Sequence, residues 1–155
     1  MMNFKQQFTR PVVRCALVFI LTVGFTFLLA SVVGTQIVLA DIQSFGLEVS
    51  FGDRVSATFH DIAGLAPTLI ALIGATFLVA FVIAALCKRY LGGKRTYWYL
   101  AAGFTSIPAA LWLIKSIMGV TLFAAARTGP GMLLIAICGL VGASLFIRLT
   151  QKRDV

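Results

Sequence analysis

Residues 12–40 read VVRCALVFILTVGFTFLLASVVGTQIVLA, and no charge falls between Arg14 and Asp41. A helix crosses ~30 Å of hydrocarbon with about 20 residues at ~1.5 Å each, so this run is long enough to span a membrane by itself. It is apolar all round, whereas barrel strands alternate apolar and polar residues over about 10 positions. Three further runs meet the same length: 65–87, closed by Lys88-Arg89; 97–118; and 130–148, ending at Arg148. The chain therefore reads as an all-α membrane protein, a bundle of four transmembrane helices forming one integral domain over residues 1–155. Val38-Leu39-Ala40 before Asp41 has the small-residue look of a signal-peptide cleavage site. The apolar run is far longer than the roughly 7–15 residues of a signal h-region, so a retained helix is expected.

Composition agrees with the runs. Of 155 residues 60% are hydrophobic and 12% charged, about half the charge a soluble domain uses to cover its surface. A net charge of +8 would suggest nucleic acid in a soluble chain, but the positions of the cations say otherwise. Ten of the 13 basic residues stand at one set of helix ends: Lys5, Arg10 and Arg14; Lys88, Arg89, Lys94 and Arg95; Arg148, Lys152 and Arg153. Arg54, Lys115 and Arg127 fall on the other side, with Asp41, Glu48, Asp53 and Asp61. The positive-inside rule then places both termini in the cytoplasm, and Tyr90, Tyr97, Trp98 and Tyr99 belong to the inner aromatic belt. The basic balance is an orientation signal and a contact for anionic lipid heads; no nucleic-acid partner is expected.

The one sizeable stretch outside the spans is 41–64. As a hairpin, Phe45, Leu47, Val49 and Phe51 alternate and Val55, Ala57 and Phe59 alternate, but a two-residue loop at Gly52-Asp53 would set apolar against polar residues. As a helix, Ser50 is an N-cap with Asp53 three residues on, and Phe51, Val55, Thr58, Phe59 and Ile62 share a face. The expectation is an extended lead-in to about residue 49, then a short amphipathic helix over 51–63 lying on the outer membrane surface. The other loops are tight, with Gly92-Gly93 in one and Pro130 suited to the first turn of the fourth helix.

An ionisable residue within a span is a functional hypothesis by default. Lys115, about a turn from the outer end of the third helix, is the candidate, unless it merely snorkels to the interface. With Arg127, His60 and Asp61, expected on the same side, it could hold an anion or a lipid headgroup; Asp61 could equally be a counter-ion for Arg54 or Arg127. His60 is the only histidine, and its side chain points about 100° away from that of Asp61 on a helix, so the pair makes a poor oriented base. No catalytic constellation, metal site or cofactor is expected. Cys15, Cys87 and Cys138 read as packing residues, with acylation of an interfacial cysteine as the alternative. Pro108 should kink the third helix and free a backbone carbonyl, which Thr105 and Ser106 are near enough to satisfy. Small residues recur at four-residue spacing: Thr22, Thr26, Ala30 and Gly34; Ala71 and Ala75; Gly139 and Ala143. Such stripes let helices approach closely, within the chain or between chains.

What is missing narrows the classes. No Asp or Glu lies within any of the four runs, so the carboxylate of a proton- or sodium-coupled carrier is lacking. The small multidrug exporters depend on a membrane glutamate, the quinone-linked disulfide-forming proteins on cysteine pairs, and the four-helix glutathione- and eicosanoid-handling enzymes on an Arg/Asn/Glu set; none has a match here. The whole chain bears a general resemblance to small four-helix bacterial inner-membrane proteins, which implies that location and no activity. The leading expectation is a non-enzymatic accessory or structural subunit that packs against another membrane protein or self-associates. A small passive channel, carrier or lipid-handling protein using the Lys115/Arg127 cluster is the alternative, and an enzyme using His60 and Asp61 the third.

Overall fold

The computed structural model describes residues 4–44, 50–119, 121 and 123–151, with side chains from residue 13 onward. Among the described residues there are four long helices and no strand: α1 (Phe4–Ser44), α2 (Phe51–Leu91), α3 (Arg95–Met118) and α4 (Gly129–Gln151), with a short 3-10 turn, Ala124–Arg127, before α4. All four are long and apolar enough to cross a membrane, and together they form a multi-pass four-helix bundle. The α1–α2 and α3–α4 connections lie at one end, the hairpin end. The α2–α3 connection, with Lys88, Arg89, Lys94 and Arg95, lies at the other, the basic end.

The helix over residues 51–63 forms, but not as a separate surface helix. It runs through Gly64 and Pro67 into the second span as one helix of 41 residues. The start follows the sequence: Ser50 is the N-cap and its backbone N–H donates to the Asp53 carboxylate at 3.1 Å. The expected break fails because both sides of Gly64 are packed, Ile62 below it and Leu65 and Ala66 beyond it all resting on the core. Pro67 removes one backbone bond only, whose acceptor on exposed Ala63 faces outward. Residues 51–60 are thus helical rather than a hairpin strand; the extended lead-in over 45–49 falls outside the described residues.

The core is aromatic towards the basic end. Phe81 stacks on Phe77 and Phe146 with ring centroids 5.1 and 4.7 Å apart, and Phe19 and Tyr99 close around it. Elsewhere glycines let the helices approach closely. A Cβ on Gly103 of α3 would collide with Gly139 and Ala143 of α4, and one on Gly142 would collide with Thr26 of α1. Thr22, Thr26 and Ala30 are buried, and the two threonine hydroxyls donate to the carbonyls one turn back, Val18 and Thr22, so they enter the core satisfied. Gly34 accommodates the ring of Phe123, which the α3–α4 connection folds back into the bundle.

Ala71 and Ala75 do not join this packing. The buried stripe of α2 is Leu69, Ile73, Phe77, Phe81 and Ala84, and the two alanines lie off it, exposed. Around Pro108, α3 continues unbroken. The Thr105 and Ser106 hydroxyls bond the Ala101 and Gly103 carbonyls, not the Phe104 carbonyl that Pro108 frees, because each hydroxyl reaches back three or four residues along its own helix.

Candidate functional site

At the hairpin end the chain assembles a polar lock that the sequence did not suggest. Gln36 and Gln43 are two turns apart on α1 and present their amide oxygens along one face. Arg54, one turn into α2, spans them: Nη1 donates to Gln36 Oε1 and Nη2 to Gln43 Oε1, both at 2.7 Å. A guanidinium suits this because its donors sit in a rigid planar fork. The acceptors are neutral, so the two bonds leave the charge of half-buried Arg54 uncompensated while their geometry ties α1 to α2. The pair of glutamines seven residues apart was the available signal.

Below the lock, Asp61 turns inward. Its carboxylate accepts from the hydroxyl of Thr35 at 2.8 Å, and Thr35 is 3% exposed. The same hydroxyl lies 2.9 Å from the Ser31 carbonyl, so one proton faces two acceptors. Ser31, one turn deeper, is buried with its hydroxyl unpartnered among the described residues. Asp61 is therefore a link between α1 and α2 and not a counter-ion of Arg54 or Arg127, neither of which forms an ion pair with it among the described residues.

The four residues expected to make an anion site are not joined to one another. Lys115 is exposed in the last turn of α3, where its carbonyl accepts from Gly119, a left-handed residue that ends the helix. Arg127 is exposed in the 3-10 turn and His60 on α2, while Asp61 points to Thr35. Among the described residues no three His, Cys, Asp or Glu side chains converge as a metal site.

A concavity of about 540 Å³ forms a groove between α2 and α3 that none of those four residues lines. It runs from Ala75 to Cys87 on α2 and from Ala110 to Trp98 on α3, about 18 Å along each helix. It exists because this part of the α2–α3 seam is largely alanine: Ala80 and Ala84 face Ala101, Ala102 and Ala109. Its hydroxyls are spent within their own helices, Thr76 on Leu72, Thr105 on Ala101 and Ser106 on Gly103, so the wall is apolar in effect. At the basic end Gly92 and Gly93, with φ of 74° and 87°, turn the chain sharply. Trp98 Nε1 clamps that turn by donating to the Gly92 carbonyl at 2.9 Å. Lys88, Arg89 and Lys94 stand exposed there, and the Arg95 guanidinium lies over the Tyr99 ring, 5.1 Å from its centroid. The three cysteines are free, Cys87 half-buried at the basic end of the groove.

No protein-family model matches the chain, and no curated protein or solved structure matches it either.

Proposed function

We propose that the chain is a non-enzymatic subunit of the bacterial inner membrane, with both termini cytoplasmic, whose projecting α1–α2 hairpin packs against another membrane protein or a second copy. The observation that carries this is an apolar stripe with nowhere in lipid to go. Phe51, Val55 and Phe59 follow one another at four-residue spacing on α2 and are 80%, 41% and 70% exposed. Counted from Lys88, ~30 Å of hydrocarbon is used up near Pro67. Phe59 then stands about 12 Å, and Phe51 about 24 Å, past the hydrocarbon. Even a typical tilt of about 20° lowers these heights little. An exposed apolar stripe on a rigid support beyond the bilayer marks a protein contact, and Arg54, Gln36 and Gln43 supply the rigidity. The orientation rests on the cations at the basic end.

A conducting path through one copy finds no support, since the Phe77–Phe81–Phe146 stack fills the middle of the bundle. The test is native mass spectrometry of the full chain extracted from its own membranes in mild detergent. A bound partner or homo-oligomer is expected, lost in Phe51→Ser/Phe59→Ser. A clean monomer, or assembly unaffected by the double substitution, overturns the reading.

A further inference from the structure

We infer that the α2–α3 groove is a binding site for an anionic phospholipid, one acyl chain lying in the groove and the headgroup held by Lys88, Arg89 and Lys94. Length selects the occupant. The groove covers about 18 Å, close to one leaflet's share of the ~30 Å hydrocarbon core. A partner helix would need a seam along the whole span, and Trp112, Leu113 and Ile117 project outward where such a seam would continue. An acyl chain fits the chemistry too, because the three groove hydroxyls, of Thr76, Thr105 and Ser106, are each satisfied by their own helix backbone and offer a guest nothing polar.

Charge then selects the headgroup. The groove reaches Cys87 and Trp98 at the basic end, where Lys88, Arg89 and Lys94 are exposed and form no ion pair among the described residues. They stand within seven residues of one another on one tight connection: Gly92 and Gly93, both with positive φ, turn the chain between Arg89 and Lys94, and the Trp98–Gly92 bond fixes that turn. Arg95 is set apart by its seat on Tyr99. A basic mouth over an apolar slot between two helices is the arrangement that holds acidic lipid heads. The site is separate from the hairpin stripe and stands whether or not that stripe has a partner.

The experiment uses the full chain and two defined lipids, phosphatidylglycerol and phosphatidylcholine. In native mass spectrometry, phosphatidylglycerol should be retained in preference to phosphatidylcholine. Lys88→Gln/Arg89→Gln/Lys94→Gln should weaken that retention at least about tenfold. Ala101→Leu/Ala109→Leu, which fills the groove and leaves the charges in place, should weaken it comparably. A groove-filled variant that retains phosphatidylglycerol like the native chain would reduce the effect to surface attraction and overturn the site. A second measurement needs no change in the groove. The chain has two tryptophans, so in Trp112→Phe the only indole left is Trp98, at the mouth. Phosphatidylglycerol brominated on its acyl chains should quench Trp98 more strongly than brominated phosphatidylcholine at the same mole fraction; equal quenching overturns the proposal.

Discussion

Gly103 shows how much of the bundle depends on single residues. Its Cα faces the backbone of Gly139, and an added methyl would meet the Gly139 carbonyl, which cannot swing aside as a side chain can. Gly103→Ala should therefore destabilise the protein by about 1–3 kcal/mol in thermal unfolding in detergent. Gly24→Ala is the matched control, since nothing lies within 4 Å of its added methyl. There the helix-favouring residue should be neutral or stabilising by up to roughly 1 kcal/mol. The α4 side of that crossing was legible, because Gly139 and Ala143 repeat at helical spacing. Gly103 was not, because its small partner is on another helix and leaves no period in its own. Arg54's role was hidden for the same reason: Gln36 and Gln43 mark a face of α1, but nothing in the sequence of α2 pairs Arg54 with them. Arg54→Ala should speed amide exchange in 36–43 and 51–58 with little change in the core, and Arg54→Lys should restore only part of the protection, since an ammonium lacks the planar fork. Equal protection in all three would show that the lock does not hold the hairpin.

At the scale of elements, hydropathy located every span and misjudged where one helix stops. An apolar window measures the part of a helix that lies in hydrocarbon, and a helix continues as long as its backbone bonds and packing do. Gly64 and Pro67 are breakers by composition, and Ser50 with Asp53 marked the true start; only the contacts of Ile62 and Leu65 decide that the two pieces are one. Spin labels at residues 53 and 88 test this. A continuous α2 sets them about 50 Å apart, whereas a segment 51–63 turned onto the membrane surface would set them about 40 Å apart. The groove was unreadable for a different reason. Ala80, Ala84, Ala101 and Ala109 are unremarkable in any one helix, and the space appears only when two such faces are set against each other without filling it.

In the whole molecule the four helices are unequal. Tyr99 beside Phe81 sets the register of α3 on α2, so α3 ends level with about residue 62 and leaves the last ~16 Å of α2 at the hairpin end standing beyond it. The orientation proposed from the cations predicts that a fluorescent-protein fusion at the C-terminus is bright and an alkaline-phosphatase fusion there inactive; the reverse pattern would place the hairpin on the cytoplasmic side. In either orientation the step in length works as a height gauge. A neighbour confined to hydrocarbon slides past α3 and α4 without ever meeting Phe51. One that carries its own folded surface roughly 12–24 Å past the hydrocarbon arrives level with the stripe, and stature alone then sorts the candidates before any side chain is compared.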